Sequence, residues 1–242
     1  MRRRHGTALV VGLALLLGCE LGQHGRSASA EDYAAMRERM VRRQIAARGV
    51  EDERVLGAMR AVPRHLFVPR ARRARAYADH PLPIGNGQTI SQPYIVALMT
   101  EALRLPKKAR VLEVGTGSGY QAAVLARICR QVYSVEIVPE LGKRARALLR
   151  ARGHDNVHVR IGDGYAGWPD KAPFDGIMLT AAPPKIPSPL LRQLKVGGRL
   201  VAPVGPVHGA QELIRVTRTR EGFKRERLLG VRFVPMTGKA QD

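Results

Sequence analysis

Three acidic residues and a run of glycines stand at points where an open α/β sheet binds ligands. Glu113-Val114-Gly115-Thr116-Gly117-Ser118-Gly119-Tyr120 follows a short apolar stretch and opens a helical one. Glycines there permit a tight turn and close backbone approach to a ligand. The dinucleotide fingerprint spaces its glycines G-x-G-x-x-G and sets a pyrophosphate on the helix N-terminus. Here the spacing is G-x-G-x-G and an acidic residue precedes it, which suits a sulfonium or ammonium group better than a pyrophosphate. Glu136 closes the next strand, where a carboxylate can accept hydrogen bonds from two ribose hydroxyls. Gly162-Asp163-Gly164 follows the third strand, where an acidic residue can receive an amino hydrogen of adenine; a plain Asp-Gly turn is the alternative. Together these residues fit S-adenosylmethionine better than NAD. The expected cofactor set is Glu113, Gly115, Thr116, Gly117, Ser118, Gly119, Glu136, Asp163 and Gly164.

Such residues need a scaffold that brings strand ends together. After Pro106 the sequence alternates strands and helices: strands at 110–114, 131–136, 157–161, 174–180 and 198–204, with helices at 121–130, 139–152 and 190–194 between them. Segments 213–219 and 226–234 read as closing strands. Alternation of this kind predicts a doubly wound, mostly parallel Rossmann-like sheet with helices on both faces. Upstream, apolar residues Met36, Met40, Ile45, Val55, Leu56 and Met59 recur near helical spacing from Asp32 to about Arg75, so an N-terminal helical extension is expected. Gly49 ends one helix and Glu51-Asp52-Glu53 suits the first turn of the next. Pro81 to Ser91 reads as a loop, and Ser91-Gln92-Pro93 as a helix start with Ser91 as N-cap.

The chain has 242 residues, 45% hydrophobic and 25% charged. That composition excludes a disordered, collagenous or disulfide-stapled chain and supplies a sizeable core. Lys+Arg 41 against Asp+Glu 20 gives a net charge of +21. Such charge suits anionic partners, but arginine far outnumbers lysine, a bias that genome composition alone produces, so no nucleic-acid partner is expected. Arg70, Arg72, Arg73 and Arg75 are read as a solvated helix face. Cys19 and Cys129 cannot make a disulfide framework or zinc site, and Cys129 is read as a buried small hydrophobe. His80, His154, His158 and His208 lack metal-ligand spacing, and His65 is read as packing; no metal is expected.

The first thirty residues stand apart. Arg2, Arg3 and Arg4 precede an uncharged apolar run from Ala8 to Gly18, the layout of a secretory signal. Leu16-Leu17-Gly18-Cys19 resembles a lipobox with an unusual Leu17, and Ala28-Ser29-Ala30 offers an A-x-A cleavage site. An over-called start, with Met36 or Met40 as the true beginning, is the alternative. The expected organisation is a signal or anchor segment and tether over 1–30, then one domain over 31–242, helical over 31–105 and sheet-forming over 106–242.

Over nearly its whole length after Tyr33 the sequence resembles the protein-L-isoaspartate O-methyltransferase family. The resemblance is carried by Val62-Pro63-Arg64-His65-Leu66-Phe67-Val68-Pro69, by 82–100, by 111–126, by 174–187 and by Arg232-Phe233-Val234-Pro235. Gly85-Asn86-Gly87-Gln88-Thr89-Ile90-Ser91-Gln92-Pro93 is its most distinctive part. The resemblance implies methyl transfer from S-adenosylmethionine to the α-carboxylate of L-isoaspartyl residues in damaged proteins and peptides, followed by closure to a succinimide. It marks Ser91 as catalytic and Thr89, Ile90 and Ser91 as substrate-binding. A carboxylate acceptor is already ionised at neutral pH, which accounts for the lack of a His/Asp or Cys/His constellation.

Two rivals share the fold. A nucleic-acid or other small-acceptor methyltransferase would use the same cofactor, but after the fourth strand the chain reads Thr180-Ala181-Ala182-Pro183-Pro184-Lys185, without the polar head and aromatic residue of amine methylases. A non-enzymatic binding module would not need the Thr89–Gln92 loop. The family is ordinarily cytoplasmic and S-adenosylmethionine is made there, so a cytoplasmic location is expected; the chain is separately expected to be a monomer. Export or lipid anchoring through Cys19 is the alternative, and the only one that involves a membrane.

Overall fold

The computed structural model describes residues 28–238. The arginine triplet, the apolar run and Cys19 lie outside the described residues. The first helix, α1 (Ala30–Met40), begins with a capping box in which the Asp32 N–H donates to Ser29 Oγ and the Ser29 N–H donates to Asp32 Oδ2. It runs on through a π-helical turn, Val41–Ile45, and a 3-10 turn that Gly49 ends in the left-handed conformation at φ +87°. Helix α2 (Glu53–Ala61) is capped by Asp52, whose side chain accepts from the Arg54 N–H. Met40, Ile45, Val55, Leu56 and Met59 are buried, as their spacing predicts. Two 3-10 turns follow, Arg64–Phe67 and Arg70–Arg75; Arg70, Arg72 and Arg75 in the second are exposed.

The expected loop from Pro81 to Ser91 is instead a small antiparallel hairpin, β1 (Leu82–Gly85) with β2 (Gln88–Ile90). Asn86 and Gly87 turn it with φ of +53° and +69°. Asn-Gly is a strong hairpin signal because both central residues need positive φ, and the density of Pro and Gly around it obscured two short strands. Helix α3 (Pro93–Ala102) corrects a second expectation. Its N-cap is Gln92, not Ser91, and among the described residues no side chain caps it. Pro93 at the first position supplies the fixed φ that starts the helix.

The sheet then builds as β3 (Arg110–Val114), α4 (Tyr120–Ala126), β4 (Gln131–Glu136), α5 (Pro139–Ala151), β5 (Val157–Ile161), β6 (Phe174–Leu179), α6 (Ser188–Arg192), β7 (Leu194–Val204), β8 (Gln211–Arg218) and β9 (Phe223–Val231). Their order is β5-β4-β3-β6-β7-β8-β9. The first five are parallel, and β8 and β9 add antiparallel at one edge. The chain winds outward from β3 through β4 to β5, then crosses back to β6 on the other side of β3. That reversal makes a topological switch point at the carboxyl end of β3.

Alternation along the strands feeds two cores. Val111 and Val132 face the helical extension, α4 and α5, whereas Leu112, Val114, Tyr133 and Val135 join Phe174, Ile177 and Leu190 on the opposite face. Fully burying an apolar side chain stabilises by roughly 1.5–3 kcal/mol, so a one-residue slip of β3 or β4 would lose both cores together. Cys129 is a buried free thiol just beyond α4. His65 stacks on Tyr33 with ring centroids 3.9 Å apart and meets the Tyr77 hydroxyl through Nδ1 at 2.8 Å, a packing role.

Candidate functional site

At the switch point the chain leaves β3 through Gly115, Gly117 and Gly119, with φ of +99°, +52° and +86°. A Cβ at Gly115 would lie 2.3 Å from Thr180 Oγ1, so this turn is closed to other residues by contact as well as by φ. Thr180 follows β6, and its hydroxyl lies 3.0 and 2.5 Å from the Val114 and Gly115 carbonyls. It thereby ties the loop to the neighbouring strand.

Glu136 is 4% exposed. Its Oε2 accepts the Gly117 N–H at 2.6 Å and its Oε1 the Val138 N–H at 2.9 Å. Each carboxylate oxygen has two acceptor sites, so one on each remains for a diol. Glu136, Gly115, Thr116, Gly117, Ser118 and Gly164 all line one cleft of about 800 Å³ of unfilled space, solvent included. Thr89, Ile90 and Ser91 form part of the same wall. A donor carrying an adenosyl group fits this lining: a carboxylate with spare acceptor capacity, open glycine backbone, and apolar flanks from Val135, Ile137 and Met236.

Three expected residues stand off the cleft wall. Gly119 is the left-handed N-cap of α4, packed against Ala145 and Leu149. Asp163 accepts the Tyr165 N–H at 2.8 Å and packs against Gly238; its neighbour Gly164 is the one on the wall, seated against Val114. Glu113 lies beneath the loop at 0% exposure. The sheet register sets it opposite Ser134. The Ser134 hydroxyl donates to Glu113 Oε2 and lies 2.6 Å from Thr116 Oγ1, while Glu113 Oε1 has no hydrogen-bond partner among the described residues. Burial raises the Glu113 pKa to about 8, a rise that the Ser134 hydrogen bond opposes and the Glu136 charge reinforces.

A second, wider cavity adjoins the first, with about 1270 Å³ of unfilled space, solvent included. The two share Thr89, Ser91, Thr180 and Val234 as wall residues. Ser91 therefore stands on the boundary between them. Its hydroxyl makes no hydrogen bond with protein among the described residues, and its carbonyl accepts from Arg64 Nη2 at 2.7 Å. Sequence reasoning missed Thr180 and the segment 234–237 as parts of the cleft wall. That segment is held by hydrogen bonds from the Ala182 N–H to the Val234 carbonyl and from the Met236 N–H to the Ala182 carbonyl, both 2.9 Å. The rule that ligands sit at strand carboxyl ends pointed to Thr180; for 234–237 the one signal was the Arg232–Pro235 resemblance.

A Rossmann-like sheet with a glycine loop and a ribose-competent carboxylate at its switch point, opening onto a second cavity through a free hydroxyl, defines an S-adenosylmethionine-dependent methyltransferase. The family model of protein-L-isoaspartate(D-aspartate) O-methyltransferase matches residues 35–241, and this chain belongs to that family. A protein-L-isoaspartate O-methyltransferase of Opitutus terrae is 53% identical over 94% of this chain and 96% of its own length. One from Myxococcus xanthus is 59% identical over 79% of this chain and 92% of its own length. Among solved structures, a protein-L-isoaspartate O-methyltransferase superposes with a TM-score of 0.76 at 31% identity, covering 84% of this chain and 66% of that one. A Plasmodium falciparum structure, described as a complex with S-adenosyl-L-homocysteine, shares the fold with a TM-score of 0.71 at 24% identity, over 83% of this chain and 98% of that one. Among the described residues, no helix is long and apolar enough to cross a membrane.

Proposed function

We propose that this chain methylates the α-carboxylate of L-isoaspartyl residues in damaged proteins and peptides, with S-adenosylmethionine as donor. The observation that carries the reading is the placement of Ser91 on the wall shared by the two cavities. S-adenosylmethionine supplies an electrophilic methyl group on a sulfonium. The protein's part is to bind, orient and exclude water. Glu136 accepts from the ribose hydroxyls with the lone pairs that Gly117 and Val138 leave unused. Gly115, Thr116, Gly117, Ser118 and Gly164 surround the rest of the donor. Thr89 and Ile90 hold the acceptor backbone, and the Ser91 hydroxyl donates to one carboxylate oxygen, leaving the other aimed at the methyl carbon.

No residue need remove a proton, because the acceptor is ionised at neutral pH. Carboxylate and sulfonium charges cancel as the new bond forms, so orientation and partial dehydration supply most of the acceleration. Glu113, beneath the loop, acts on the donor through Thr116 and Ser134 rather than by contact. Asp163 serves the adenine end through the turn that presents Gly164.

Residues 31–242 then form one methyltransferase domain, with the acceptor side over 31–105 and the donor side over 106–242. The segment expected over 1–30 is a signal or anchor segment and tether, which ends where Ser29 caps α1. The chain acts as a monomer in the cytoplasm, where the donor is made. Export or lipid anchoring through Cys19 is the competing outcome, which N-terminal mass analysis of fractionated cells distinguishes. The activity is tested with labelled S-adenosylmethionine and one peptide in isoaspartyl and aspartyl forms. Base-labile label on the isoaspartyl form alone is expected; equal labelling of both overturns the acceptor assignment.

A further inference from the structure

The molecule contains a buried cation to which methyl transfer, as described above, gives no role. Arg64 begins the 3-10 turn Arg64–Phe67 and is 0% exposed. It forms no ion pair among the described residues. Its Nε donates to the Ala76 carbonyl and its Nη2 to the Ser91 carbonyl, both at 2.7 Å. Its guanidinium carbon lies 4.9 Å from the centroid of the Tyr120 ring, and Nη1 has no hydrogen-bond partner among the described residues. Burial lowers its pKa to about 10, which leaves it charged at neutral pH.

A buried charge without a counterion opposes folding, and a well-packed apolar residue of similar volume is often neutral or better. What an apolar residue cannot supply is the fork. Arg64 grips two carbonyls 12 and 27 residues along the chain with one planar group. The second carbonyl belongs to Ser91. Holding it fixes the plane of the peptide between Ser91 and Gln92, and with it the direction in which the Ser91 side chain leaves the backbone. The Gln92 side chain donates to the Asp79 carbonyl at 3.1 Å, but among the described residues α3 has no side-chain cap and the one side chain on the Ser91 carbonyl is Arg64; Pro93 has no N–H to add another bond. Tyr120, under the guanidinium, lines the same cleft as Ser91.

We propose that Arg64 is a positioning residue for methyl transfer, clamping the Ser91 carbonyl so that the Ser91 hydroxyl is held on the boundary between the donor and acceptor cavities. The proposal rests on the reading of Ser91 as the orienting hydroxyl. A merely structural tether would hold the helical extension to the sheet and affect catalysis regardless of what residue 91 carries. A double-mutant cycle separates the two cases.

The cycle uses the full chain with Arg64→Met, Ser91→Ala and both together, plus Arg64→Lys. It reads kcat, peptide KM, S-adenosylhomocysteine affinity and thermal midpoint. Loss of a charged hydrogen bond predicts that Arg64→Met lowers kcat by ~10- to 100-fold, with S-adenosylhomocysteine affinity held within about twofold. Arg64→Lys, with a point charge in place of a fork, should recover part of the loss. In the Ser91→Ala background, Arg64→Met should reduce kcat by less than about threefold, because the hydroxyl it positions is gone. Equal losses in both backgrounds, or wild-type kcat in Arg64→Met, overturn the proposal while leaving the Ser91 reading intact. Wild-type kcat in Ser91→Ala overturns the Ser91 reading and this proposal with it. Should Arg64→Met fail to fold, Arg64→Lys takes its place in the same cycle, with the same two outcomes.

Discussion

Gly117 donates its backbone N–H to Glu136 Oε2 at 2.6 Å, joining the loop after β3 to the carboxylate that ends β4. The carboxylate thus has two duties, shaping the loop from one side and facing the cleft from the other. The Val138 N–H on Oε1 completes its hold. Changes at either residue should be felt at both.

Glutamine is therefore not a conservative replacement for Glu136. An amide can accept on one side only, so its NH2 must face either the Gly117 or the Val138 N–H. Glu136→Gln and Glu136→Ala should both weaken S-adenosylmethionine binding, by about 1–3 kcal/mol. Calorimetry checks this, and unchanged affinity in either variant would move the ribose site elsewhere.

Ser91→Ala should lower turnover while leaving donor affinity and thermal stability near wild type. Helix α3 is capped at Gln92 without a side-chain bond, so no cap is lost. Had Ser91 been the cap, the change would cost about 1 kcal/mol of stability. Denaturant unfolding and steady-state kinetics on the same preparation separate the two effects.

The glycines of the loop should tolerate alanine unequally. At Gly115 a Cβ meets Thr180 Oγ1 at 2.3 Å, whereas at Gly117 the nearest atom is Ile84 Cδ1 at 3.4 Å. Both sites carry positive φ, a strain of roughly 1–2 kcal/mol for alanine. Gly115→Ala should lose more stability than Gly117→Ala, because it must also displace the Thr180 hydroxyl that ties β6 to the loop. Equal unfolding midpoints would show that Thr180 yields freely.

Glu113 makes a pH signature. Its pKa is raised from 4.5 to about 8, so the folded protein binds more protons than the unfolded chain between those values. Its contribution to stability is therefore complete below about pH 4.5 and lost as pH rises through about 8. His65 works oppositely: burial, reinforced by nearby arginines, lowers its pKa from 6.5 to about 4, so its contribution is present above 6.5 and lost as pH falls through about 4. Above pH 6.5, of these two groups only Glu113 titrates. Without donor, Glu113→Gln should flatten the fall in thermal midpoint between pH 6.5 and 8; an unchanged slope would show that Glu113 is ionised in the fold.

Much of this was legible in the sequence. Strands β3, β4 and β5 fall where the sequence pattern put them: β3 and β4, inside the sheet, are buried along nearly their whole length, and β5, at the edge, alternates Val157, Val159 and Ile161 with His158 and Arg160. The cofactor loop was visible because glycines with positive φ admit few substitutes, and Glu136 because it closes the strand after the loop. The hairpin at Leu82–Ile90 was not seen, since two strands of four and three residues carry too little periodicity to outweigh their Pro and Gly. The Ser91 cap followed from side-chain type, whereas the helix began one residue later on the geometry of Pro93.

By itself the sequence determined the class of the sheet, the place of the glycine loop and the carboxylate at the end of β4, because each is written in residues close together along the chain. Only the tertiary structure decided that Glu113 lies under the loop beside Ser134, that Thr180 and residues 234–237 wall the cleft, and that Arg64 holds Ser91. Those relationships join segments tens of residues apart, through strand register and packing across the sheet. No local pattern encodes the distance between them, so it is fixed only when both cores close on the two faces of β3 and β4.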